Sequence, residues 1–166
     1  MTEEDWCARA CRRSATVLTV ANRVLTVLFY GAYAVLLVVV ALQRPVELAP
    51  LAFVPGLAFV LVSAVRRHLN APRPYDLSDV PPLIAREGEG CSFPSRHAFS
   101  AFAIAGCWFS ASAPMAAGLL ACAAALAWCR VLGGVHFPRD VVVGALIGVV
   151  TGLAAALLAL SMGGLG

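Results

Sequence analysis

Residues 138–160, PRDVVVGALIGVVTGLAAALLAL, carry Arg139 and Asp140 at their start and then no charge at all. A run of ~20 apolar residues is what a helix needs to cross the hydrocarbon core of a bilayer. Within that core only segments that satisfy every backbone N–H and C=O internally are stable, which makes such a run helical. Four more stretches are similarly apolar, at about 24–42, 48–65, 95–110 and 115–129. Five runs in 166 residues leave space for little else. The chain is therefore expected to be an all-α, polytopic membrane helix bundle that uses residues 1–166 as one unit. With 61% hydrophobic and only 13% charged residues, an ordinary soluble domain is excluded.

The remaining segments are polar. Residues 1–23 place acids (Glu3, Glu4, Asp5) and arginines (Arg9, Arg12, Arg13, Arg23) among apolar residues at near-helical spacing, which predicts an interfacial amphipathic helix. This start lacks the basic, apolar and cleavable pattern of a signal peptide and is read as part of the mature chain. Residues 68–92, HLNAPRPYDLSDVPPLIAREGEGCS, form the one long polar loop, of a length that usually serves function.

All twelve basic residues are arginine, so every cation offered by this chain is a planar guanidinium able to make two parallel hydrogen bonds to an oxyanion. Nucleic acid is not an expected partner, because no basic stripe with interleaved aromatics is present. The six cysteines (Cys7, Cys11, Cys91, Cys107, Cys122, Cys129) contain no CxxC pair and no zinc-like spacing. Cys7 and Cys11 would share a helical face, but most of the six sit in apolar segments as small hydrophobes, and no metal site is expected.

Counting crossings locates the polar groups. The second run ends at Arg66, the third begins near Ser95, and the fourth hands over to the fifth between Arg130 and Asp140. With one crossing per run, these three junctions share one membrane face. They carry Arg66 with RHLNAPRP, PSRH, and CRVLGGVHFPRD. Singly, each residue has a plain reading: Arg66 as a snorkelling helix end, Arg73 as a solvated loop residue, His97 as an interfacial histidine, and Asp140 as a carboxylate in the first turn of a helix. Arg67, Arg86 and Arg139 read as interface anchors. Arg130 ends an uncharged span and fits a functional role better. Ser95 has the form of a helix N-cap, at a position that also suits an anion. Asp140 is expected to accept a hydrogen bond from one nitrogen of His136, leaving the other free to attack.

Together, Arg66 followed after six residues by Arg73-Pro74, then Pro94-Ser95-Arg96-His97, then Cys129-Arg130 with His136 and Asp140, resemble the type 2 phosphatidic acid phosphatase (PAP2) family of membrane lipid phosphatases. The family motifs read KxxxxxxRP, PSGH and SRxxxxxHxxxD, and the resemblance covers about residues 48–160. Arg66 stands for lysine, Arg96 for glycine and Cys129 for serine; PSRH is similar to the form found in small bacterial members. The resemblance implies a PAP2/haloperoxidase-like core and hydrolysis, without metal or cofactor, through a phosphohistidine. In that scheme His136 is the nucleophile, Asp140 its orienting carboxylate and His97 the proton donor, while Arg66, Arg73, Ser95, Arg96 and Arg130 bind phosphate.

The implied substrates are phosphatidate, phosphatidylglycerol phosphate or a polyprenyl diphosphate. Two other classes stay open: a non-catalytic protein that binds anionic lipid headgroups, and a vanadate-dependent peroxidase. The arginines crowd the candidate face, which by the positive-inside rule would be cytoplasmic. The family resemblance places the site on the extracytoplasmic side of the cell membrane, and that orientation is the expectation here. Gly144, Gly148 and Gly152 form a double GxxxG that lets another helix approach closely, either within the chain or from a second copy in a homo-oligomer.

Overall fold

A computed structural model describes residues 3–77, 81–84 and 90–164, with side chains from residue 13 onward. The side chains of Cys7 and Cys11, Arg86, and parts of the 68–92 loop lie outside the described residues. The described chain is helical: α1 (Glu3–Gln43), α2 (Leu48–Leu69), α3 (Arg96–Cys107), α4 (Ala113–Leu132) and α5 (Pro138–Gly163), with short 3-10 turns at Pro45–Glu47, Pro74–Asp76 and Trp108–Ser110. The segment expected as a separate interfacial helix is the N-terminal part of α1, which runs unbroken for 41 residues. No proline or glycine lies between Glu3 and Tyr30 to interrupt it.

Helices α1, α2, α4 and α5 are each long and apolar enough to span a bilayer. The third run is different. Its α-helix has 12 residues, a rise of about 18 Å, and the 3-10 turn that follows extends it to only about 24 Å. It nevertheless reaches the far end of the bundle, where Arg44 at the end of α1 donates from Nη1 to the Ser110 carbonyl at 3.0 Å. Eight of its twelve residues are buried, so α3 is the central helix and the other four face lipid around it.

Interior and exterior follow membrane logic. Large side chains such as Phe53, Leu57, Trp128, Leu146, Val150 and Leu157 point outward, whereas alanines dominate the interior. Small residues let helix backbones approach closely where no hydrophobic effect drives them together. Gly144, Gly148 and Gly152 lie on the face of α5 that meets α3: a Cβ on them would sit 2.5 Å from Ser95 O, 2.4 Å from Phe99 O and 2.3 Å from Ala103 O. The homo-oligomer alternative for these glycines is thereby corrected. They are buried within the chain and are not open to a second copy.

Two polar details pin the outer helices. Pro55 has no N–H to give the Leu51 carbonyl one turn earlier, and the Tyr33 hydroxyl of α1 donates to that carbonyl instead, at 2.8 Å. At the end of the bundle opposite the three junctions, buried Glu47 pairs with Arg44 at 3.1 Å.

Candidate active site

The crossing count is matched by direct contacts between the three junctions. Arg66, in the last turn of α2, donates from Nη1 to the Pro94 carbonyl at 3.1 Å. The Ser95 amide donates to the Asp140 carbonyl at 2.9 Å, and Arg73 Nη1 donates to the Val135 carbonyl at 3.0 Å. These bonds hold the ends of α2, α3, α4 and α5 against one another.

Arg73 organises the described part of the loop. Its Nε donates to Gly90 O at 2.7 Å and its Nη2 to Cys91 O at 3.2 Å. Asp76 accepts the backbone amides of Arg73 and Gly90, each at 2.8 Å. Asn70 ends α2 in the left-handed region and accepts the Cys91 amide at 3.1 Å; short polar asparagine tolerates that conformation well. With Ser92 N donating to Ala71 O at 2.8 Å, segment 90–92 lies along 70–73 and delivers Ser92 to the site.

Ser92 went unnoticed in the sequence, and its signal was weak: a serine at the end of a polar loop. Its hydroxyl donates to Asp140 Oδ2 at 2.5 Å and stands 3.4 Å from His136 Nδ1. The direct His136 Nδ1 to Asp140 Oδ2 distance is 3.7 Å, longer than a hydrogen bond. The carboxylate therefore reaches the imidazole largely through the serine. Asp140 also accepts the Phe137 amide at 3.0 Å, which caps α5 and fixes the rotamer. Nε2 of His136 is buried and, among the described residues, has no hydrogen-bond partner.

His136 is 1% exposed, and Arg66, Arg73 and Arg130 are 4%, 0% and 3% exposed. The His136 pKa is lowered to about 4, first by burial and then by the charges of Arg130, Arg73 and Arg66, against the opposing effect of Asp140. The charges of three buried guanidinium groups bear on this one ring and make the site strongly electropositive. Burying such charges is costly unless an anion offsets them.

Arg130 closes α4 and donates from Nη1 to Asn22 Oδ1 on α1 at 3.2 Å. Asn22 is the second residue that sequence reasoning passed over; its signal was an isolated amide beside an apolar run. Ser95 caps α3, its Oγ accepting the Ala98 amide at 3.5 Å. His97 and Arg96, both half-buried, line a cavity of about 250 Å³ with Thr26, Phe29 and Phe59. Arg96 stacks over the Phe59 ring, 5.9 Å from its centroid. Among the described residues no group of three His, Cys, Asp or Glu side chains could share a metal ion; the buried donors are suited to an oxyanion.

The family model of the PAP2 superfamily matches residues 47–161. The chain belongs to the PAP2 superfamily. Among solved structures, Aquifex aeolicus LpxE is 31% identical, with a TM-score of 0.61, covering 84% of this chain and 92% of its own. The first transmembrane PAP2 type phosphatidylglycerolphosphate phosphatase from Bacillus subtilis is 18% identical, with a TM-score of 0.66 and coverage of 97% and 89%, and shares the fold. Comparison with curated proteins returns no match. This PAP2 chain is thus a multi-pass membrane protein, and its α1 lies outside the matched segment yet supplies Asn22 to Arg130.

Proposed function

We propose that this PAP2 protein hydrolyses phosphate from membrane lipids at the bilayer surface, using His136 as nucleophile. The observation that carries the reading is the unpartnered Nε2 of a buried His136 amid the charges of Arg66, Arg73 and Arg130. A hydrogen on Nδ1, held toward Ser92, leaves the lone pair on Nε2. Asp140 anchors Ser92 and stabilises the imidazolium that forms.

The three arginines and the N-terminal end of α3 at Ser95 neutralise the phosphoryl oxygens, so catalysis rests on positioning and charge. Attack forms a P–N bond from His136 Nε2 to phosphorus and breaks the P–O bond to the leaving group, whose oxygen takes the proton of His97. Water, deprotonated by His97, then splits the P–N bond, releasing orthophosphate and regenerating both histidines. The lipid chain stays in the apolar part of the bundle or in the bilayer. We place the site on the extracytoplasmic side of the cell membrane.

The test is phosphate release by purified protein from phosphatidate, phosphatidylglycerol phosphate and polyprenyl diphosphate in EDTA, beside His136→Ala. Release that survives EDTA and disappears in the variant is expected. Loss in EDTA, or activity retained by His136→Ala, refutes the mechanism and favours a headgroup-binding protein or a different chemistry.

A further inference from the structure

Arg96 stands apart from the other arginines of the site. It holds the first position of α3, directly after the cap Ser95. The face of α3 toward α5 is taken by Ser95, Ala98, Phe99 and Ala103, whose atoms border Gly144 and Gly148. The Arg96 side chain lies on the side toward α2, over Phe59. The charges that bear on His136 are those of Arg130, Arg73 and Arg66, and Arg96 is not one of them. It shares its cavity instead with His97.

Among the described residues, the group that faces this half-buried guanidinium is the Phe59 ring, with no carboxylate in hydrogen-bond or ion-pair contact. A cation drawn into a largely apolar cavity without a counter-charge is costly, and an anionic ligand removes the cost. Beyond Phe59 the space continues. A second cavity of about 390 Å³ shares Tyr30, Phe59, Ser100 and Ile104 with the first and runs on between Leu37 and Gly56. His97 and the cation Arg96 thus share one cavity, and a largely apolar cavity adjoins it along Phe59, Ser100 and Ile104.

We propose that Arg96 binds a second phosphate, located in the leaving group of the substrate. The preferred substrates are then lipids whose scissile phosphoryl is attached to a group that already carries phosphate, as in a polyprenyl diphosphate or phosphatidylglycerol phosphate. The inference rests on the phosphatase reading above and selects within it. A diphosphate places its inner phosphate beside His97 and Arg96 while the terminal phosphoryl faces His136; phosphatidate, whose leaving group is neutral diacylglycerol, offers Arg96 nothing. A guanidinium suits this task because it can make two parallel hydrogen bonds to phosphate while stacked on an aromatic ring.

The experiment compares farnesyl diphosphate with farnesyl monophosphate in neutral-detergent micelles, for the full chain and for Arg96→Gln and Arg96→Lys. The expected result is a kcat/KM ratio that favours the diphosphate in the unmodified protein. Arg96→Gln lowers that ratio by about tenfold or more, and Arg96→Lys falls between the two. A ratio unchanged by Arg96→Gln, whether both activities fall together or neither does, overturns the proposal. A second arm adds phosphatidylglycerol to the micelles. An effect of Arg96→Gln that appears only with this lipid, and equally on both substrates, assigns Arg96 to a neighbouring headgroup and likewise overturns it.

Competition needs no variant. Pyrophosphate should inhibit the unmodified protein about tenfold more tightly than orthophosphate, and equal inhibition counts against the proposal. Activity retained by His136→Ala on both substrates removes the phosphatase mechanism itself, an outcome distinct from any change in the ratio.

Discussion

Ser92 links Asp140 to His136: its hydroxyl donates to the carboxylate at 2.5 Å and lies 3.4 Å from the imidazole Nδ1. The carboxylate and imidazole are 3.7 Å apart, so the serine carries the hydrogen-bond connection. This makes it a positioning residue. Ser92→Ala should lower kcat by about 10- to 100-fold with a smaller change in KM, the cost of a lost bond to a charged group. Ser92→Thr, which keeps the hydroxyl, should recover part of the rate. Phosphate-release kinetics check this, and an unaffected kcat in Ser92→Ala would mean that Asp140 orients His136 alone.

The pH dependence should bear the mark of burial. With the His136 pKa lowered to about 4, the proposed nucleophile is mostly neutral above that value. The acid limb of kcat/KM is expected near pH 4 and not near the ordinary 6.5, because kcat/KM reports groups of the free enzyme. For stability the sign follows from a folded pKa below the unfolded one. The contribution is complete above about 6.5 and is lost as the pH falls toward 4, since the unfolded chain takes up the proton first. Thermal unfolding between pH 4 and 7 should show His136→Asn losing less stability than the unmodified protein as the medium becomes acidic.

The contact between α3 and α5 is intolerant of added atoms. A Cβ on Gly152 would lie 2.3 Å from Ala103 O and 2.8 Å from Gly106 Cα, both backbone atoms that cannot turn aside. Gly152→Ala should destabilise the protein by ~1–3 kcal/mol. Gly56→Ala on α2, with nothing within 4 Å, should be neutral or stabilising by up to ~1 kcal/mol. Unfolding in detergent compares the two, and equal effects would contradict the packing described.

Asn22 supports Arg130 from a helix that lies outside the matched family segment. Asn22→Leu should raise KM for a lipid phosphate by about tenfold with little change in kcat, because the guanidinium keeps its charge but loses its aim. Asn22→Gln should restore part of the affinity. A KM unchanged in Asn22→Leu would show that Arg130 needs no help from α1.

Orientation can be read directly. A single cysteine at the exposed Leu77, in a background lacking the native cysteines, should react with an impermeant maleimide in intact cells. Protection that disappears only on cell lysis would place the site in the cytoplasm, in accord with its dense arginines.

The apolar runs determined most of the architecture, because hydrocarbon tolerates only helices whose backbone is internally bonded, and the order of the runs placed Arg66, Ser95, Arg130 and His136 at one end. PSRH and the spacing from Arg130 to Asp140 disclosed the family, since residue type and local spacing are properties of the chain itself. Three features depended on the tertiary structure. The third run is a buried central helix, which its apolar composition could not distinguish from a lipid-facing span. Ser92 reaches Asp140 only because Asn70, Ala71 and Arg73 draw segment 90–92 across the end of α2. Arg96 turns toward Phe59, whereas Ala98 and Phe99 of the same helix border Gly144 of α5. Adjacent residues on a helix point about 100° apart, and which direction meets a neighbouring helix is decided by packing.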